Sequence, residues 1–110
     1  MTLPPTGKLV RDLIPEIIRK TGKRSETCVV SGDDHTQALR QKIGEEVLEL
    51  QQASFTQMSE EIADVYEVLL ALTARLGMSW SDIEELAESK RIERGGFSGG
   101  VWLLGVEPQT

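Results

Sequence analysis

Cysteine and histidine occur once each in the 110 residues, as Cys28 and His35. No intrachain disulfide is possible, and a lone thiol fits a reducing, cytosolic setting in which Cys28 is a buried or half-buried structural residue. With no second Cys and a single His, neither a thiol nucleophile nor a Cys/His metal site can be assembled around Cys28. A carboxylate-bridged di-iron bundle needs Glu-x-x-His and is excluded on the same count. His35 reads as an exposed bystander. No apolar run approaches the roughly 18 residues of a membrane span, and Met1-Thr2-Leu3-Pro4-Pro5 shows no charged-then-apolar signal pattern, so a cytoplasmic protein is expected. Internal repeats and low-complexity linkers are lacking too, and the chain reads as one domain, 1–110.

Acidic charge is plentiful, and it is unevenly spread. Residues 1–24 carry six bases against two acids, residues 25–89 fourteen acids against three bases, and residues 90–110 three bases against two acids, within a net charge of −6. An acidic middle between basic ends does not suit a reader of nucleic-acid backbone. It does suit a site where carboxylates hold cations and the chain ends supply phosphate contacts.

The carboxylates that matter are Glu46 with Glu49, and Glu61 with Asp64. Each pair is three residues apart, so on a helix both members share one face, a like-charge arrangement that is unfavourable unless something positive lies between them. At about 100° per residue the apolar stripe of the first long helix is Leu39, Ile43, Val47, Leu50 and Ala53, and Glu46 falls roughly 20° from Leu39, inside it. A carboxylate there must be paired or metal-bound, because burying a bare ion costs more than a domain's total stability of about 5–15 kcal/mol. On the second helix Met58, Ile62, Val65, Leu69, Leu72 and Leu76 form the stripe, with Glu61 at its margin and Asp64 beyond it. Val68-Leu69-Leu70-Ala71-Leu72 is apolar all round, which leaves room for a second packed face carrying Glu61, Asp64, Val68 and Ala71.

Capping and breaking signals place these motifs. A short helix over about 13–21 is capped by Asp12, tolerates Pro15 in its first turn and stops at Gly22. A short strand over 25–30 leads to a long helix over about 35–53 capped by Asp33 or Asp34, a second over about 57–76 capped by Thr56 or Ser59, and a last one opened by Ser79-x-x-Asp82 or Ser81-x-x-Glu84 and ending near Arg94. The three-residue link Ser54-Phe55-Thr56 forces an antiparallel hairpin. Residues 101–106 read as a strand able to pair with 25–30. The expected class is therefore mainly α, an antiparallel helical bundle with a small two-stranded β element. Trp102 reads as core, with the alternative that Phe97 and Trp102 stack on a nucleobase. On the last helix the stripe of Ile83, Leu86 and Ala87 continues as Lys90 and Arg94; these bases, with Lys8 and Arg11, are candidates for substrate phosphates, although cations at a helix C-terminus also favour the dipole. Leu48 and Leu70, off the main stripes, suggest self-association.

Glu46-x-x-Glu49, eleven residues, then Glu61-x-x-Asp64 resembles the ExxE…ExxD signature of the all-α nucleoside triphosphate pyrophosphohydrolases, the MazG-like and phosphoribosyl-ATP pyrophosphohydrolase-like superfamily. Together with the opening Lys8-Leu9-Val10-Arg11-Asp12-Leu13-Ile14-Pro15-Glu16 and the closing Lys90-x-x-x-Arg94-Gly95-Gly96-Phe97, it is similar to a branch of short, single-domain house-cleaning enzymes, over nearly the whole chain. The resemblance implies hydrolysis of a nucleoside triphosphate, canonical or modified, to monophosphate and pyrophosphate. It implies Mg²⁺, with Mn²⁺ able to substitute, held by Glu46, Glu49, Glu61 and Asp64, and a homodimer or higher oligomer with no nucleic-acid or membrane partner. Mg²⁺ takes oxygen ligands from carboxylates and substrate phosphates, so such a cluster is completed by the triphosphate. Glu45 or Glu46 is the candidate to accept a proton from the attacking water. The rival from another class is a non-catalytic helical module that binds nucleotides or a protein.

Overall fold

A computed structural model of the chain describes residues 3–109; Met1 and Thr2 of the opening segment, and Thr110, lie outside the described residues. Four α-helices account for the regular structure: α1 (Ile14–Lys20), α2 (Gly32–Gln52), α3 (Met58–Arg75) and α4 (Trp80–Arg94), with one 3₁₀ turn (Phe55–Gln57) before α3. The mainly α class expected from periodicity is what forms. Packing groups the chain into two units, Met1–Met78 and Ser79–Thr110, each described in turn.

In the first unit α2 and α3 pack on one another as an antiparallel hairpin. Its turn is stabilised by the hydroxyls of Ser54 and Thr56, 3.2 Å apart, and its open end by Arg75, whose Nη2 donates to the Gly32 carbonyl at 2.9 Å and whose Nε donates to Thr36 Oγ1 at 3.1 Å. Helix α3 ends in a Schellman turn: Met78 N–H donates to the Thr73 carbonyl and Gly77 N–H to the Ala74 carbonyl, with Gly77 at φ 71°, where a side chain would be strained. Ala38, Leu39 and Val68 form the small buried centre, joined by Thr73, whose hydroxyl donates to the Leu69 carbonyl at 2.7 Å.

The caps differ from expectation. Asp12 does not cap α1; Leu13 takes the N-cap position with no side-chain bond, and Pro15 with Glu16 carries the first turn. Helix α2 starts three residues early, at Gly32, because this glycine's φ of 58° lets the chain swing from extended Ser31 into the helix. Asp33 and Asp34 then fall in the first turn, where carboxylates suit the N-terminal dipole, rather than at the cap. Thr56 and Ser59 do not cap α3, which is entered from the 3₁₀ turn through Gln57. His35 is half-buried rather than exposed.

The expected facing of α3 is also corrected. Glu61, Asp64 and Val68 belong to the side turned toward α2, as the second packed face anticipated, while much of the main stripe is left outside: Ile62 is 53% and Leu76 69% exposed. The reason is supply, since α2 offers one apolar stripe and cannot cover a helix that is apolar on several sides.

In the second unit, α4 opens with the Ser79/Asp82 capping box. Asp82 N–H donates to Ser79 Oγ at 3.2 Å and Ser79 N–H to Asp82 Oδ2 at 2.9 Å. The helix stops at Gly95, φ 84°, and has no buried residue. Beyond it the chain is irregular, and the two-stranded β element expected from 25–30 and 101–106 is not formed: no strand occurs among the described residues. An isolated two-stranded ladder is marginal in water without a third strand or a helix face behind it. Consequently Trp102 is 85% exposed instead of core, and Cys28 is exposed instead of buried.

Candidate metal centre

The hairpin brings the four carboxylates named by spacing to one place. Glu46 and Glu49 from α2, and Glu61 and Asp64 from α3, each offer one oxygen, and these oxygens all lie within 4.8 Å of one another. An octahedral Mg²⁺ with bonds of about 2.0–2.1 Å sets its opposite ligands roughly 4.2 Å apart, so the oxygens are within a small side-chain adjustment of a common ion. The four carboxylates could hold a metal ion.

Burial makes this more than a crowd of surface acids. Glu46 is only 7% exposed. Its Oε1 meets Lys42 Nζ at 3.2 Å, one helical turn earlier, while Oε2 is buried without a hydrogen-bond partner. Oε2 of half-buried Glu61 is likewise buried and unpartnered. Two unpartnered carboxylate oxygens, from two helices, are ligand atoms that a cation would satisfy, since buried polar atoms are almost always satisfied. The chemistry of the donor set, hard oxygen with no sulfur or imidazole, fits Mg²⁺, Mn²⁺ or Ca²⁺ and not zinc or copper.

Two cations already stand at the cluster. Lys42 Nζ also reaches Glu45 Oε2 at 3.3 Å and is 17% exposed at its side chain. Burial acts to lower its pKa, but hydrogen bonds to Glu46 and then Glu45, with the field of both carboxylates, outweigh it and raise the pKa above the ordinary 10.5. Lys42 stays charged. On the other helix, Arg11 Nη2 meets Asp64 Oδ1 at 2.6 Å. Four negative charges thus face two positive ones before Glu45 is counted, and the deficit is one a divalent ion can meet.

Of the phosphate candidates, the structure places Arg11 at the cluster, through Asp64. Lys8 is exposed on the segment leading to Arg11. Lys90 and Arg94 are exposed on α4 and belong to the second unit. Glu45 is half-buried and tied to Lys42. Lys42 itself is the functional residue the sequence reading missed; its signal was present, a base one turn before a carboxylate already placed in the apolar stripe. No protein-family model, curated protein or solved structure matches this chain. Among the described residues no helix is long and apolar enough to cross a membrane.

Proposed function

We propose that the protein is a Mg²⁺-dependent nucleoside triphosphate pyrophosphohydrolase, cleaving a canonical or modified nucleoside triphosphate with water to the monophosphate and pyrophosphate. The observation that carries this reading is Glu46: a buried carboxylate with one oxygen held by Lys42 and the other buried without a partner, clustered with three further carboxylates. The resemblance of the motif spacing supports the reaction class, and the geometry supports the metal.

Glu46, Glu49, Glu61 and Asp64 hold the ion. When bound, Mg²⁺ supplies Lewis-acid chemistry, activating water and offsetting charge on the departing pyrophosphate. Lys42 keeps Glu46 Oε1 engaged, which leaves the buried Oε2 without a partner and free to take up an ion. Glu45, bonded to Lys42 through Oε2, has Oε1 to accept the attacking water's proton. Arg11 and Lys8 neutralise phosphate oxygens electrostatically.

The active species is a homodimer or higher oligomer in the cytoplasm. On the hairpin Ile62 is 53%, Leu69 37% and Leu76 69% exposed, an apolar surface that a partner copy would cover. At about 100° per residue Val47, Met58, Ile62, Leu69 and Leu76 fall on one flank of the hairpin, and Lys42, Glu49 and Asp64 on the other. A second copy covering the apolar flank leaves the carboxylates open.

The test is pyrophosphate release over a broad panel of canonical and modified triphosphates, with Mg²⁺ and with chelator. Mg²⁺-dependent release from at least one, abolished by Glu46→Gln with a native circular dichroism spectrum, is expected. No release from any of them overturns the enzyme in favour of a binding module.

A further inference from the structure

Arg11 and Lys42 are not equivalent counter-ions. Lys42 lies on the same helix as both of its partners, so its distance to them is fixed by α2 itself, and its side chain is mostly buried. Arg11 comes from the irregular segment before α1, where Ile14 N–H donates to its carbonyl at 3.0 Å. Its pair with Asp64 spans 53 positions, with side chains 54% and 39% exposed. The pair is close, yet water reaches both members.

Asp64 is therefore claimed twice, by the arginine and by the cluster whose orphaned oxygens call for a cation. Arg11 takes one of the two Asp64 oxygens, Oδ1, at 2.6 Å, and its positive charge stands against that of any ion the same carboxylate would meet.

We propose that Arg11 is an exchangeable counter-ion: it and an ion at the cluster both draw on Asp64, so binding of the ion displaces it, and it then turns its guanidinium to the phosphates of the incoming nucleotide. This rests on the metal-site reading above and adds an order of events to it. Metal and Arg11 compete for Asp64, so they are negatively coupled, and metal and nucleotide are positively coupled through the released arginine. Lys42 takes no part in the exchange.

The experiment uses the full chain and reads binding rather than turnover. Mn²⁺ affinity is measured by calorimetry, without nucleotide, for the wild type and for Arg11→Gln, which keeps the side-chain length and removes the charge. The variant is expected to bind Mn²⁺ about fivefold more tightly. With saturating Mg²⁺ and a non-hydrolysable triphosphate analogue, the same variant is expected to bind nucleotide about tenfold more weakly. A general field effect would also tighten Mn²⁺ binding, so Arg11 is watched directly: its side-chain Nε–H resonance must shift when Mg²⁺ alone is added. A resonance that stays in place, or an unchanged or weaker Mn²⁺ affinity in Arg11→Gln, overturns the exchange and leaves the metal site standing. Failure of the wild type to bind Mn²⁺ at all overturns both.

Discussion

Glu61→Gln should make the metal-free protein more stable and the metal-loaded protein less so, a reversal of sign that few structural roles could produce. Glu61 sits with three other carboxylates, their oxygens within 4.8 Å, and no salt bridge to a cation is found for it among the described residues. At that separation and an effective dielectric constant of about 20, each like-charge pair repels by roughly 3 kcal/mol, before water and salt at the exposed members reduce it. Glutamine is nearly isosteric, removes the charge, and offers an amide donor to the neighbouring carboxylates. Discounting for the half-exposed surroundings, a gain of about 1–2 kcal/mol is expected in chelator, a rise in melting temperature of about 4–12 °C for a domain of this size. The wild type should gain about 2.7 kcal/mol from Mg²⁺ at one hundred times its dissociation constant, and the variant little of it, so the two stabilities cross. Urea unfolding followed by circular dichroism, with chelator and with Mg²⁺ at one fixed protomer concentration, reads both limbs. A variant less stable than wild type in chelator, or one that keeps the full Mg²⁺ increment, would refute the account of Glu61 as a repelled metal ligand.

Other consequences are separately measurable. Lys42, with its pKa raised above 10.5 by Glu46 and Glu45 against the effect of burial, contributes stability that is complete below the unfolded value and is lost as pH rises through the folded one; Lys42→Met should remove that alkaline loss from a stability-pH profile and lower stability at neutral pH by about 2–4 kcal/mol, because Glu46 is left buried with no cation. Ile62→Asp and Leu69→Asp, on the apolar flank of α3, should dissociate the oligomer in size-exclusion chromatography with light scattering, while Mn²⁺ affinity by calorimetry stays within about threefold of wild type since the carboxylates face the other way.

Helix positions were legible because α2 and α3 are long and periodic, and because glycines at 22, 77 and 95 stop their helices in backbone conformations that side chains resist. The capping box at Ser79 and Asp82 formed as written. Strands were not legible. Thr27, Val29 and Val30 in one stretch, and Val101, Trp102 and Val106 in the other, favour extended chain, but a ladder needs a register, a neighbour and a backing face, none of which local sequence supplies. The facing of α3 was legible only in part, the second packed face with Val68 but not the exposure of Ile62 and Leu76, for a related reason. Hydrophobicity says which residues avoid water but not which of them the neighbouring helix can cover, so Ile62 and Val68 look alike until one is seen packed and the other exposed.

At the site the asymmetry is sharper still. Glu46 could be singled out from its own helix, since a charge within an apolar stripe conflicts with burial unless it is matched, and it is indeed the most buried carboxylate of the four. The matching charges could not be read as easily. Lys42 obeys an i to i+4 spacing that also describes ordinary surface pairs, and only its burial separates it from them. Arg11 and Asp64 are 53 residues apart, in a segment with no periodicity to orient it. Spacing within one helix reveals where negative charge must be compensated, but which positive charge does the compensating depends on how the irregular segment before α1 returns to the hairpin. For that reason Arg11 is the informative residue: its partner across the chain, Asp64, is itself a candidate metal ligand.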